Sequence, residues 1–147
     1  MFFIVKIEEW RNECHEYFVY IYGNHWFCLI VIGGGVIGCE YACMFAALGV
    51  RVSIVEKSEK IVGGMDSEIS ISLKSRMESA GIKFFMGDSV IKIECGKLVE
   101  VELESSVTIQ THAVLVSSGR SGQSGSIGLE NVDIPTNSRG HILVNEN

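Results

Sequence analysis

The chain has 147 residues, a net charge of −6 at neutral pH, 47% hydrophobic residues and 20% charged residues. That is enough for one domain with a real core, too few for two full ones, and globular rather than disordered in composition. The acidic balance disfavours nucleic acid and anionic membranes, which both attract a basic face, and no apolar run reaches the length of a bilayer span.

The first 26 residues stand apart from the rest. Nine of the thirteen aromatic residues lie in the first 27 positions, without a clean period, although Glu8 to Tyr20 is compatible with a helix. The start, Met1-Phe2-Phe3-Ile4-Val5-Lys6, is too short for a signal-peptide core and is followed by acidic residues. We expect an atypical aromatic-rich segment over residues 1–26 and a regular domain over residues 27–147. One reading of the first segment is an aromatic interaction element that covers an apolar face of that domain.

From Phe27 the pattern becomes regular. Phe27 to Ile32 reads as a buried parallel strand, and Gly33-x-Gly35-x-x-Gly38 follows it at once. This is the dinucleotide fingerprint. The first glycine lets the chain turn sharply, the second removes a Cβ that would block a pyrophosphate, and the third lets the helix lie close on the strand. Gly34 completes the turn. Val36 to Leu48 is helix-compatible and stops at Gly49, so the helix start aims N–H groups and a positive dipole end at the phosphates. Val50 to Val55 is a second strand ending in Glu56, eighteen residues past Gly38, where a carboxylate can hold the adenosine ribose hydroxyls.

Asp66 can cap a helix running to about Ala80, with Ile69, Leu73, Met77 and Ala80 on one face. Gly81 ends it, and Ile82 to Met86 is a third strand. Val90 to Glu94, Leu98 to Leu103 and Val107 to Thr111 alternate in part, as short antiparallel strands do. Ala113 to Val116 should return to the parallel sheet, with Ser117-Ser118-Gly119-Arg120 as the loop at its carboxyl end. Ser121 to Gly128 reads as flexible, and Asn137-Ser138-Arg139-Gly140 as a turn between two short strands within Val132 to Val144. The fold class is α/β: a Rossmann-like parallel βαβαβ sheet with an antiparallel three-strand meander insert.

Five cysteines, at positions 14, 28, 39, 43 and 95, form no secreted-scaffold pattern, so reduced thiols and a cytoplasmic location are expected. Cys39 and Cys43, one helical turn apart, read as buried small residues rather than a redox pair. Cys14-His15 and His25-x-x-Cys28 lack a second metal-ligand pair, so no metal is expected.

Several separated motifs together carry a resemblance. Val31-Ile32-Gly33-Gly34-Gly35-Val36-Ile37-Gly38-Cys39-Glu40-Tyr41-Ala42, Leu48-Gly49-Val50-x-Val52 with Val55-Glu56, and Met65-Asp66-x-Glu68-Ile69 are three of them. Ala113-Val114-Leu115-Val116-x-x-Gly119-Arg120, Gly128-Leu129-Glu130-Asn131 and Asn137-Ser138-Arg139-Gly140-His141-Ile142 are the others. Residues 27–147 resemble the NAD(P)-binding domain of the FAD-dependent pyridine nucleotide–disulfide oxidoreductases. Within that family they look most like the soluble pyridine nucleotide transhydrogenases, which pass hydride between NADH and NADP through FAD, and next like dihydrolipoyl dehydrogenase.

The resemblance implies the following roles. Gly33, Gly35 and Gly38 form the pyrophosphate turn, and Val36 and Ile37 supply backbone N–H groups near the phosphates. Many relatives carry, at the position of Val36, a tyrosine that covers the flavin; that gate is absent here. Glu40 matches a glutamate near the nicotinamide end that faces a lysine of the FAD domain; by itself it reads equally as a solvated first-turn acid. Val90 matches the residue whose backbone borders the adenine, and Gly119 the glycine that lets the chain approach the nicotinamide ribose. Glu56 favours NAD(H) over NADP(H), since two unit charges about 4 Å apart at an effective dielectric near 20 repel by about 4 kcal/mol. Lys57, Lys60 and Arg51 are close in sequence and offset part of that repulsion.

The resemblance also implies partners. Family members carry FAD-binding and dimerisation domains and, in the disulfide members, a Cys-x-x-x-x-Cys pair, none of which is found here. The chain therefore reads as a fragment of a larger flavoenzyme, able to bind nicotinamide dinucleotide but catalysing nothing alone. A stand-alone NAD(H)-binding module is the alternative of a different class.

Overall fold

A computed structural model describes residues 3–6, 27–119 and 121–145. The predicted helix over Glu8 to Tyr20, and Cys14, His15 and His25, lie outside the described residues. The described residues divide into two compact units, a larger one ending at Ser118 and a smaller one beginning at Gly119.

The larger unit is built on one sheet. Its strands are β1 (Phe3–Lys6), β2 (Cys28–Ile32), β3 (Arg51–Glu56), β4 (Lys83–Met86) and β8 (Ala113–Val116), in the order β1-β8-β2-β3-β4. β8, β2, β3 and β4 are mutually parallel, with Leu29 opposite both Val52 and Ala113. β1 adds antiparallel to β8, pairing Phe3 with Val116, so the first residues supply an edge strand that the sequence pattern does not disclose. The other three strands, β5 (Val90–Cys95), β6 (Val99–Leu103) and β7 (Thr108–Thr111), form the separate antiparallel meander.

The parallel strands are apolar on both faces because both faces are covered. Leu29, Val31, Val52, Ile54, Ala113 and Leu115 point to the helix side, where Ala42 and Met77 join them. Ile30, Val55 and Val114 point to the other side, against Val99, Val101 and Leu103 of β6, each of which is fully buried. The period of two along β6 leaves Glu100 and Glu102 outside.

Helices α1 (Val36–Ala47) and α2 (Ser67–Ser79) connect the first three parallel strands. Both end in the same motif. After α1, Gly49 N–H donates to Ala46 O and Val50 N–H to Phe45 O; after α2, Gly81 N–H donates to Glu78 O and Ile82 N–H to Met77 O. Gly49 and Gly81 take φ of +86° and +89°, the left-handed conformation that this ending requires. Asp66 caps α2 by accepting from Glu68 N–H at 2.8 Å.

Three expectations are corrected. On α2 the buried residues are Ser70 and Met77; Ile69 is 55% exposed and Ala80 is exposed. Ser70 is buried because its hydroxyl donates to Ile61 O at 2.8 Å, which ties α2 to the loop before it. Cys39 is buried but Cys43 is exposed, because α1 packs only one side on the sheet.

The third correction lies in the smaller unit, where the expected closing strands reduce to one bridge, Thr136 to Ile142, preceded by a 3-10 turn over Leu129–Val132. Here the Asn137 carboxamide accepts from both Arg139 N–H and His141 N–H, so the side chain does work that a ladder would otherwise do. The Ser/Gly-rich stretch is fastened to that turn: Gly122 N–H donates to Arg139 O, and Ser124 Oγ donates to Gly140 O.

The α2 correction has a measurable consequence. Met77→Ala should cost about 2–5 kcal/mol in urea unfolding, whereas Ile69→Ala should stay within about 0.5 kcal/mol. Equal losses would restore the originally expected face.

Candidate functional site

The carboxyl ends of β2, β3, β4 and β8 lie side by side, and the loops that leave them carry most of the predicted site residues. β2 leads on to β3 on one side and pairs with β8 on the other, so the order reverses at β2. In open α/β sheets a ligand binds in the crevice at that point. The glycine turn leaves β2 there.

Each glycine of the turn has a distinct reason visible in the structure. Gly33 has φ of +105°, and a Cβ on it would meet Ser117 O at 2.8 Å. A Cβ on Gly38 would lie 2.0 Å from Gly33 O and 2.7 Å from Ser117 Oγ, so α1, β2 and β8 approach one another through the space of a missing methyl. A Cβ on Gly35 would meet nothing within 4 Å: its space is open. Gly34, the variable position of the fingerprint, is also constrained, since its Cβ would meet Ile61 Cγ2 at 3.0 Å and Glu56 Cβ at 3.2 Å.

α1 begins at Val36, with Gly35 as its N-cap and no side-chain cap. The N–H groups of Val36, Ile37 and Gly38 belong to the first turn and have no intrahelical acceptor. Such N–H groups, together with the helix dipole, are electrostatically favourable to an anion, and the space beside Gly35 is open. Val36 is 48% exposed there. Glu40 is exposed one turn further along.

Glu56 closes the other side. Its carboxylate accepts Gly34 N–H at 2.6 Å and Ser58 N–H at 2.8 Å. An ionised carboxylate offers about four acceptor positions, so about two remain open to further donors. Glu56 O accepts Asp88 N–H and Ser58 O accepts Gly87 N–H, each at 3.2 Å, which lays the β4–β5 loop beside the end of β3 and brings Val90 to the same edge. Asp88 also accepts from Ser105 Oγ at 2.5 Å and from Ser89 N–H at 2.9 Å. The Ser105 hydroxyl is the largest cause holding the Asp88 carboxyl below its ordinary range.

Arg51 does not offset the charge of Glu56. It opens β3 and Glu56 closes it, so the two stand about 17 Å apart along an extended strand, roughly twice the screening length at physiological salt. Lys57 and Lys60 follow Glu56 directly and are exposed.

Sequence reasoning missed Ser117. Its hydroxyl donates to Ile32 O at 3.0 Å and to Gly33 O at 3.1 Å, joining the end of β8 to the turn. A serine after an apolar strand carries no signal of that bond. Gly119, at the start of the smaller unit, has φ of +132°, a conformation suited to glycine. Cavities of about 350 and 360 Å³ lie elsewhere, one at the meander tip around Glu94–Leu98 and one around Cys28, Arg51, Lys83 and Gln110; neither includes a residue of the glycine turn.

The family model described as pyridine nucleotide-disulphide oxidoreductase matches residues 22–147. The chain belongs to that family. It is 39% identical over 120 residues to a soluble pyridine nucleotide transhydrogenase of Pseudomonas fluorescens, covering 81% of this chain and 26% of the relative. To the enzyme of the same name from Marinomonas it is 34% identical over 119 residues, covering 80% and 26%. Among solved structures, the HOCl-induced flavoprotein disulfide reductase RclA of Escherichia coli superposes with a TM-score of 0.70 at 30% identity, over 80% of this chain and 27% of that one. The chain thus spans about a quarter of the length of the curated relatives it matches. Among the described residues, no helix is long and apolar enough to cross a membrane.

Three measurements check this geometry. Gly38→Ala should destabilise the fold by about 1–3 kcal/mol or more, because the atoms it meets are backbone and a bonded hydroxyl; a loss below about 0.5 kcal/mol in urea unfolding would contradict the close approach. Burial, then Cys43, then Glu56 push the Cys39 thiol up from 9.0 to about 11. At pH 8, iodoacetamide should therefore label Cys43 and spare Cys39, as read by peptide mass. The unfolded thiol ionises before the folded one, so stability should fall as pH rises from about 9 to 11.

Proposed function

We propose that this domain binds a nicotinamide dinucleotide across the carboxyl edge of its parallel sheet, as the nucleotide-holding part of a FAD-dependent oxidoreductase of the soluble transhydrogenase type. The observation that carries the reading is the set of groups at one edge: open space at Gly35, the first turn of α1 with no side-chain cap, and the Glu56 carboxylate 2.6 Å from the Gly34 nitrogen. A diphosphate needs the first two, and a ribose diol needs the third.

In this reading the pyrophosphate lies over Gly35 and takes hydrogen bonds from Val36 and Ile37 N–H. Glu56 accepts from the adenosine ribose, and the backbone at Val90 borders the adenine. Glu40 stands toward the nicotinamide end. The bound nicotinamide supplies or accepts a hydride, and these residues hold it in a fixed orientation, which is the protein's main contribution to such chemistry. Glu56 opposes a 2′-phosphate, so NAD(H) is preferred over NADP(H). Exposed apolar side chains on both helices and at the end of α1, Met44, Ile71 and Leu48, favour a domain that works packed against more protein, with FAD held outside these 147 residues. Hydride exchange between NADH and NADP through that flavin is the activity proposed for the assembled enzyme, in the cytoplasm.

Titration of the 147-residue chain should give NADH binding at least about tenfold tighter than NADPH binding; equal dissociation constants would contradict the role of Glu56. Gly35→Ala should weaken NADH binding by about tenfold or more while keeping stability within about 1 kcal/mol, since its Cβ enters only the ligand's space. The same chain should retain no flavin and reduce no dye with NADH. Flavin retention with dye reduction would overturn the division of labour.

A further inference from the structure

We propose that Glu56 is a positioning residue for the pyrophosphate turn as well as a ribose acceptor: it orients the Gly33–Gly34 peptide, and through it the N–H groups that face the phosphates. The inference rests on the nucleotide-binding reading above.

A trans peptide is planar, and its N–H and C=O point to opposite sides. The Gly33–Gly34 peptide is gripped on both. Its N–H donates to Glu56 Oε2 at 2.6 Å, and its carbonyl, on Gly33, accepts the Ser117 hydroxyl at 3.1 Å. The next peptide is held by its carbonyl: Gly34 O accepts Val62 N–H at 2.8 Å and the Cys39 thiol at 3.5 Å. With that carbonyl turned toward Val62, the Gly35 N–H must point the other way.

The loop that carries Val62 is itself fixed, since Ile61 is fully buried and its carbonyl accepts the Ser70 hydroxyl. Glu56 is fixed too, because its other oxygen accepts Ser58 N–H at 2.8 Å. Its carboxylate therefore reaches the turn as a held group, not as a mobile side chain. Two consecutive glycines with nothing to hold them would sample many conformations. Glu56, Ser117 and Val62 remove that freedom before any ligand arrives, so the ordering cost is met on folding and not on binding.

The consequence is that cofactor choice and phosphate binding share one carboxylate. Changing Glu56 to admit a 2′-phosphate also loosens the turn that binds the diphosphate.

The test compares wild type, Glu56→Gln and Glu56→Ala in the 147-residue chain, by amide exchange without ligand and by titration with NADH and with NADH lacking the adenosine 2′- and 3′-hydroxyls. The deoxygenated ligand cannot use the ribose bond, so any loss of its affinity comes from the turn. The proposal expects Gly34 N–H to exchange at least tenfold faster in Glu56→Ala, and affinity for the deoxygenated ligand to fall at least threefold. Glu56→Gln, which keeps one acceptor oxygen, should fall between wild type and Glu56→Ala in both. Unchanged exchange at Gly34 overturns the proposal. Faster exchange with unchanged affinity for the deoxygenated ligand also overturns it, leaving Glu56 as a structural clamp without effect on binding. Should wild type bind neither nucleotide, the binding reading fails, and the positioning of a phosphate turn fails with it; the exchange result still reports separately whether Glu56 orders Gly34.

Discussion

The structure depends on one close approach. At the end of β2, the backbone of Gly33 meets α1 at Gly38 and β8 at Ser117, in a space that a single Cβ would fill. Because the three elements meet there, α1 begins directly over the crevice where the strand order reverses, with its N–H groups aimed outward. The same contact fixes the height of α1 above the sheet, so that Cys39 and Ala42 pack on Leu29, Val31 and Leu115. The same absent side chain thus serves the packing of the core and sets where α1 begins above the sheet edge. The two-sided burial of the parallel strands follows from covering one face with helices and the other with the meander.

Much of this was legible in the residues. Apolar runs for the parallel strands, and partial apolar–polar alternation for the meander, located all seven strands of the larger unit after Phe27 to within a residue or two. Glycines at 49 and 81 marked both helix ends, because only glycine enters that conformation without strain. The fingerprint spacing announced the turn, and Glu56 fell at the end of the right strand. What was not legible shares a cause: it depends on partners far apart in sequence. The Ser117 hydroxyl acts on a residue 84 positions earlier. Ser70 is buried, in place of Ile69, because of a carbonyl in the preceding loop. Arg51 looked close to Glu56 along the chain but lies at the opposite end of an extended strand. The edge strand Phe3–Lys6 carries no local pattern that distinguishes it from its aromatic surroundings, and only its pairing with β8 identifies it.

The family is shared with relatives that carry the words transhydrogenase and flavoprotein disulfide reductase in their names, at 30–39% identity. Those names describe chains about four times as long in coverage terms, since this chain spans 26% of the transhydrogenases it matches. A dinucleotide turn, a ribose carboxylate and a strand-end glycine are features that such enzymes need whatever their final electron acceptor. Fold and family therefore support the proposal of nucleotide binding without bearing on the final electron acceptor.

The measurement that bears hardest on this reading is a map of backbone amide shifts in the 147-residue chain on addition of NADH. Binding as described here perturbs Gly33–Gly38, Glu56–Ser58, Val90 and Ser117, and leaves the far ends of β2 and β3 unchanged. Perturbations centred on the cavity around Cys28, Arg51, Lys83 and Gln110, with the glycine turn silent, would contradict it.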